Sequence, residues 1–231
     1  MLLIDVFPKW TAEHPRSLTT LQAHPACVYQ ALFSPHQPDL VATCSGDGTI
    51  RFFDLRSPAF ASTSNAFTSP LSAAVLTVPA APSEELALDW NKYRPLVLAS
   101  AGVDKTVKIW DCRMLQLGGG STNTIGGQCE NRLIGHEYAV RKVQWSPHRP
   151  DLLASGSYDM TCRMYVLSCS DRQNALTLSA RWTTNPPPGK NHLVRIHDAH
   201  TEFVVGCAWS LYEEGVLATC SWDNKLNIFR V

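Results

Sequence analysis

"HPACVYQALFSPHQPDLVATCSGDGTIRFF" (His24 to Phe53) and "HEYAVRKVQWSPHRPDLLASGSYDMTCRMY" (His136 to Tyr165) say nearly the same thing at two distant places. Both carry Ser-Pro-His-x-Pro-Asp-Leu, then a run of small and polar residues, then an Asp. Internal repetition decides the fold, so the whole chain is aligned on that Asp. It recurs as Asp47, Asp104, Asp159 and Asp223, at separations of 57, 55 and 64. Fourteen positions earlier stand Phe33, Trp90, Trp145 and Trp209, all aromatic. Twenty-three earlier stand His24, Ala81, His136 and His200. Four earlier stand Thr43, Ser100, Ser155 and Thr219, each a hydroxyl. Six later stand Phe53, Trp110, Tyr165 and Phe229, aromatic again.

Each copy reads as three short strands with a hairpin before the third, as in "VRKVQWS", "DLLASGS" and "TCRMYV". A fourth strand precedes the histidine position, as in "SLTTLQAH", "RLIGH" and "LVRIHDAH". Four strands per unit, with Gly-His ahead and "IWD" (Ile109 to Asp111) behind, form the WD40 signature. The expected fold class is all-β, a WD40 β-propeller of four repeats at 17–56, 71–113, 130–167 and 192–231. Residues 1–16 read as an N-terminal remnant. The linkers 57–70, 114–129 and 168–191 are rich in Ser, Thr, Gly, Pro or Asn and read as exposed, mobile loops. The run "NPPPGK" (Asn185 to Lys190) reads as a rigid spacer.

Each repeat begins with the outer strand of the preceding sheet, so Arg16 to Gln22 belongs to a sheet not in this chain, and the last sheet lacks its outer strand. Two arrangements stay open. The chain forms the C-terminal part of a longer, seven-bladed ring and leaves an open arc, or Arg16 to Gln22 completes the last blade and closes a ring of four. The open arc is favoured, because blades packed for a large ring must bend sharply to close with four.

His136, Ser155 and Asp159 resemble a nucleophilic triad, but a hydrolase needs one triad with an oxyanion hole, and here the residue types recur at every matching position. No Gly-x-Ser-x-Gly elbow accompanies them. They read as structural hydrogen-bond braces: Asp to His, His to hydroxyl, hydroxyl to an indole N–H. The brace set is His24, Thr43 and Asp47; Ser100, Asp104 and Trp110, with Ala81 in place of the histidine; His136, Ser155 and Asp159; and His200, Thr219 and Asp223. None is complete by type, since Phe53, Tyr165 and Phe229 stand where Trp110 stands in the second repeat. The chain is read as not an enzyme, with no catalytic residue.

Composition narrows the class further. Lys+Arg and Asp+Glu are both 20, which argues against a general nucleic-acid or acidic-membrane binder. No apolar run approaches a spanning helix. "MLLIDVFPKW" lacks the basic start and apolar stretch of a signal peptide, and "NIFRV" is not a retention or peroxisomal address. The 8 cysteines show no Cys-x-x-Cys pair, so they read as small buried residues in a reducing compartment, with no metal site and no cofactor.

Three phrases are more specific than a generic WD repeat: "LALDWNKYRPLVLASAGVDKTVKIWDCR" (Leu86 to Arg113), "LIGHEYAVRKVQWSPHRPDLLASGSYDMTCRMY" (Leu133 to Tyr165), and "HTEFVVGCAWSL" with "ATCSWDNKLNIF" (His200 to Leu211; Ala218 to Phe229). In these the chain resembles the receptors for the type 2 peroxisomal targeting signal, the WD40 peroxins, over their C-terminal four repeats. The resemblance implies an import receptor for an N-terminal amphipathic helix of the pattern Arg/Lys–Leu/Val/Ile–five residues–His/Gln–Leu/Ala. It implies as partners signal-bearing cargo such as thiolase, a co-receptor peroxin and peroxisomal docking proteins, with no nucleic acid and no small-molecule substrate. It also implies cycling between the cytoplasm and the peroxisome. Histone-binding propellers share Ser-Pro-His phrases, so a chromatin scaffold is the alternative reading, and an inactive truncated receptor is another.

Ligands of propellers usually bind where loops ring the channel mouth. The residue before each turn Asp and those one and three after the histidine position point there. These are Gly46, Val103, Tyr158 and Trp222; Pro25, Pro82, Glu137 and Thr201; and Cys27, Glu84, Ala139 and Phe203. Glu84, Glu137, Tyr158, Phe203 and Trp222 are the candidate signal-peptide contacts, because a basic amphipathic helix needs both acid and apolar surface. The competing reading has the rings packing between blades and the acids simply solvated.

Overall fold

The computed structural model describes residues 24–56, 74–113, 124–167 and 192–231. Every regular element among them is a strand. The first sheet holds β1 (Val28–Phe33), β2 (Leu40–Ser45), β3 (Thr49–Asp54) and β4 (Leu76–Pro79) in that order, all antiparallel. The second holds β5 (Glu85–Trp90), β6 (Val97–Gly102), β7 (Val107–Asp111) and β9 (Gln128–Leu133). The third holds β10 (Val140–Trp145), β11 (Leu152–Ser157), β12 (Cys162–Val166) and β13 (His192–His197). The last holds β14 (Val204–Trp209), β15 (Val216–Ser221) and β16 (Leu226–Arg230) and is three-stranded. These sheets are the blades of a β-propeller, and among the described residues the sheet system is an open arc, not a closed ring. The stretch Arg16 to Gln22 lies outside the described residues, as do most of the three linkers.

One linker expectation changes. Thr124–Ile125, inside the segment read as a loop, forms a short strand, β8, that pairs in parallel with Leu76 and Thr77 of β4. Backbone groups on the open edge of β4 thereby gain partners, which edge strands otherwise lack.

Blades stack because each second strand is sandwiched. All six residues of β2, β6 and β11 are buried, although Thr43, Ser45, Ser100, Ser155 and Ser157 among them are polar. Behind each joint lies one apolar cluster. Phe52 of β3 meets Trp90 of β5 edge-on at 5.7 Å, within a cluster that also holds Ala42, Ile50 and Leu98. Val107 and Ile109 pack with Trp145 and Leu153, and Met164 packs with Trp209 and Leu217.

Polar ties recur between the same blades. The Asp89 carboxylate accepts the backbone N–H of Trp145 at 2.8 Å, and the Gln144 amide oxygen accepts that of Trp209 at 3.1 Å. The His of Ser-Pro-His reaches across as well: His36 Nε2 lies 3.2 Å from the Asn91 carbonyl, and His148 Nε2 lies 3.1 Å from that of Ser210. At the matching place in the second blade, the Tyr93 hydroxyl donates to the Pro147 carbonyl at 2.6 Å.

Each inner strand carries a register shift at one repeat position, between Val28 and Gln30, Glu85 and Ala87, Val140 and Lys142, and Val204 and Gly206. A bulge bends its strand and re-aims the extra side chain. Here those side chains are Tyr29, Leu86, Arg141 and Val205, and two of them reach a neighbouring blade.

Candidate functional site

The triad-like residues are fixed in place by their own blades. His136 Nδ1 lies 2.7 Å from Asp159 Oδ2, and its Nε2 lies 2.7 Å from Ser155 Oγ. His24 repeats this with Asp47 at 2.9 Å and Thr43 at 2.7 Å, and His200 with Asp223 at 3.0 Å and Thr219 at 2.9 Å. With Nδ1 protonated and donating to the carboxylate, Nε2 accepts from the hydroxyl. All three imidazoles are buried, so none is presented to a substrate. The third brace continues to Tyr165, whose hydroxyl meets Ser155 in the place of an indole. In the fourth, Asn227 Nδ2 lies 3.3 Å from His200 Nε2, and Phe229 stacks on His197 at 4.1 Å.

The second blade rebuilds its brace with an ion pair. Trp110 Nε1 donates to Ser100 Oγ at 2.9 Å, as the residue types imply. Asp104 has no histidine, because Ala81 stands there, and instead meets Lys108 Nζ at 2.6 Å. Lys108 also donates to Glu85 Oε1 at 2.9 Å, and Ser100 lies beside that carboxylate. Burial pushes the Glu85 carboxyl up, against the pull of Lys108. Glu85 stands where the other repeats have Val28, Val140 and Val204. That one charged residue in an apolar column is the sequence signal for this substitute.

A turn hydroxyl adds to three braces. Thr49, Thr106 and Thr161, two residues after the Asp, each donate a side-chain O–H to its Oδ1 at 2.6, 2.9 and 2.6 Å. The residue between takes positive φ in all four turns: Gly48 at 75°, Lys105 at 66°, Met160 at 66° and Asn224 at 62°. At Gly48 a Cβ would lie 2.2 Å from the Ala81 carbonyl oxygen, so this turn also needs glycine for space.

Burial raises the Asp47 and Asp223 carboxyls, but their His and turn donors outweigh it and hold both at about 2, and Asp159 lower still. A carboxyl depressed in the folded state contributes stability above its unfolded value, and that contribution disappears as pH falls through the folded one. Urea midpoints measured against pH should therefore hold down to about 4 and drop progressively from there toward 2. A flat midpoint across that window contradicts the ionised braces.

The channel-mouth positions come together in pairs. Gly46 N donates to the Cys27 carbonyl at 2.8 Å, Val103 to Glu84 at 2.9 Å, Tyr158 to Ala139 at 3.0 Å, and Trp222 to Phe203 at 3.2 Å. The aromatic members then gather across the joint between the third and fourth blades. Tyr158 and Phe203 rings lie 4.9 Å apart, Phe203 and Trp222 5.3 Å, and Tyr158 and Trp222 6.4 Å. Packing between blades does not bury the whole cluster, because Trp222 is 61% exposed.

The acids stand apart from that cluster in their contacts. Glu137 is exposed, and its backbone N–H donates to Asp159 at 3.1 Å. Glu84 is exposed but engaged: it accepts the Tyr29 hydroxyl at 2.5 Å, and that bond, with burial, pushes the phenol up to about 12. Tyr29, on the bulge, is thus a mouth residue that the three positional classes missed. So is Tyr138, 60% exposed with the Lys105 ammonium 5.8 Å over its ring. Pro25, Pro82, Cys27 and Thr201 are exposed at the same rim. Among the described residues no cluster of His, Cys, Asp and Glu could hold a metal ion. Four of the described cysteines are buried, as read, while Cys27, Cys129 and Cys220 are exposed.

Comparison with known proteins matches the WD domain, G-beta repeat family at residues 15–54, 80–111, 127–166 and 191–230. The chain belongs to the WD40 family. Among curated proteins, this WD40 chain is similar to the peroxisomal targeting signal 2 receptor of Saccharomyces cerevisiae, 35% identical over 223 residues, or 93% of the chain and 55% of that receptor. It is 38% identical over 204 residues to the receptor of the same name in Komagataella phaffii, 88% of the chain and 49% of that protein. Histone acetyltransferase type B subunit 2 of Gibberella zeae matches at 28% over 158 residues, 68% of the chain and 34% of that protein. The WD40 chain spans about half the length of the receptors it matches.

Proposed function

We propose that this chain forms part of an import receptor for peroxisomal matrix proteins and takes the type 2 signal helix at its channel mouth. The observation that carries this reading is the receptor likeness across 93% of the chain. The mouth suits such a ligand chemically. Tyr158, Phe203 and Trp222 offer a partly exposed aromatic floor for Leu or Val side chains, and Glu137 offers a free carboxylate for the leading Arg or Lys. Glu84 is the weaker acid candidate, since Tyr29 already occupies it. Binding, not bond-breaking, is the activity. The chain works with a co-receptor peroxin, carries cargo such as thiolase, meets docking proteins at the membrane and cycles between cytoplasm and peroxisome.

Anisotropy titration of a labelled type 2 signal peptide tests this, with a histone-tail peptide as competitor. Saturable binding that the histone peptide does not displace is expected. Trp222→Ala should weaken it by about tenfold or more, the order of a buried aromatic anchor, with an unchanged circular dichroism spectrum. Equal affinity removes Trp222 from the site, and preference for the histone peptide moves the protein to the chromatin class.

A further inference from the structure

One pairing recurs at every joint between blades, and at the third joint its chemistry changes. The residue three after a turn Asp shares an apolar cluster with the inner-strand residue sixteen before the following blade's turn Asp. At the first joint these are Ile50 and Leu88, and at the second Val107 and Val143. At the third they are Cys162 of β12 and Cys207 of β14. Both members of one pairing have become cysteine. The two thiols share a hydrogen bond inside that cluster, with Cys162 0% and Cys207 6% exposed. The blades also come close here. Gly156, the cross-strand neighbour of Cys162, faces Val204 of β14, and a Cβ on it would lie 3.0 Å from Val204 Cγ1. Among the described residues no third His, Cys, Asp or Glu joins the pair to make a metal site.

We propose that Cys162 and Cys207 form a redox modification site, at which a hydroperoxide closes a disulfide between the third and fourth blades. The chemistry balances with the peroxide alone. The Cys207 thiol, the less buried of the two, gives up its proton and its sulfur attacks the peroxide. An S–O bond forms, the O–O bond breaks, and water or an alcohol leaves. The Cys162 sulfur then attacks the Cys207 sulfur. The S–S bond forms, the S–O bond breaks, and water leaves with the Cys162 proton. The two sulfurs together lose two electrons, and the peroxide gains them.

At rest the pair stays reduced. The bond to Cys207, and burial, push the Cys162 thiol well above its ordinary value, so the attacking thiolate is scarce while the joint is closed. Oxidation therefore follows a loosening of the joint, and the disulfide then locks it. What it locks is one side of the mouth. Cys162 lies four residues after Tyr158 and Cys207 four after Phe203, and those two rings meet across the same joint. The site stands whether or not the mouth takes a signal peptide.

Differential alkylation tests it. The folded chain is alkylated to block the exposed Cys27, Cys129 and Cys220, treated with hydrogen peroxide in urea below the unfolding transition, then unfolded and given a second alkylating agent. Peptide mapping should find the second label on the buried, unpaired Cys44 and Cys112. On Cys162 and Cys207 it should fall at least tenfold, with their peptides joined and two hydrogens lighter, and a reductant should restore it. The urea midpoint of the oxidised chain should rise by about 1 M, the order expected when a cross-link closes a long loop. The double variant Cys162→Val with Cys207→Val copies the pair at the second joint, and peroxide should leave its midpoint where it was. Full second labelling of Cys162 and Cys207 overturns the proposal. So does a disulfide from either of them to another cysteine, or an equal midpoint rise in the double variant.

Discussion

Replacing Lys108 with Met is expected to lower stability by about 3–5 kcal/mol, the cost of leaving one member of a buried ion pair alone. Lys108 joins Glu85 to Asp104, and the Glu85 side chain is wholly buried with Oε2 already lacking a hydrogen-bond partner. Without the ammonium the carboxyl must either stay charged in an apolar joint or take up a proton. Its upward displacement shows the second route is partly prepared, so the loss should be smaller at pH 5 than at pH 8. The double variant Glu85→Val with Lys108→Met should recover most of the loss, because Val is what the other repeats carry at that position and a buried pair replaced by apolar groups is often neutral. Urea unfolding at both pH values checks this. A Lys108→Met midpoint close to wild type would mean the pair does not brace the second blade.

Asp159→Ala should cost about 2–3 kcal/mol by the same measurement, the order expected when a buried network loses a member. Its carboxylate accepts from His136, from both the backbone and side chain of Thr161, and from the backbone N–H of Glu137. Removing it strands several donors at once, with Arg163 left 3.7 Å from an absent partner. Asp47→Ala should cost less, since the Asp47 side chain keeps 12% of its surface in water against 4% for Asp159. An unchanged midpoint for Asp159→Ala would refute the brace.

The repeat was legible because its most constrained side chains sit at fixed distances from a turn Asp, and those distances survive any insertion between blades. Three His–hydroxyl–Asp sets lie within hydrogen-bond distance. The second blade departs from the column rule because one apolar position became Glu85, and a pairing between strands cannot be seen from offsets taken within the motif alone. The bulge that aims Tyr29 and Arg141 was hidden for a related reason: the alternation of types gives no sign of an extra residue in an otherwise regular strand. At the mouth, sequence position put Tyr158, Phe203 and Trp222 on one rim, and the fold gathers them across a joint. It could not reveal that Glu84 is held by a tyrosine from the preceding blade, since that contact spans fifty-five residues.

The central claim is that the recurring His, hydroxyl and Asp side chains act together as mortar within each blade. A double-mutant cycle on His136→Ala and Asp159→Ala, read by urea unfolding, tests it most directly. The account predicts strong non-additivity, a coupling of about 1–3 kcal/mol as found for residues in one hydrogen-bond network. Losses that simply add would contradict it.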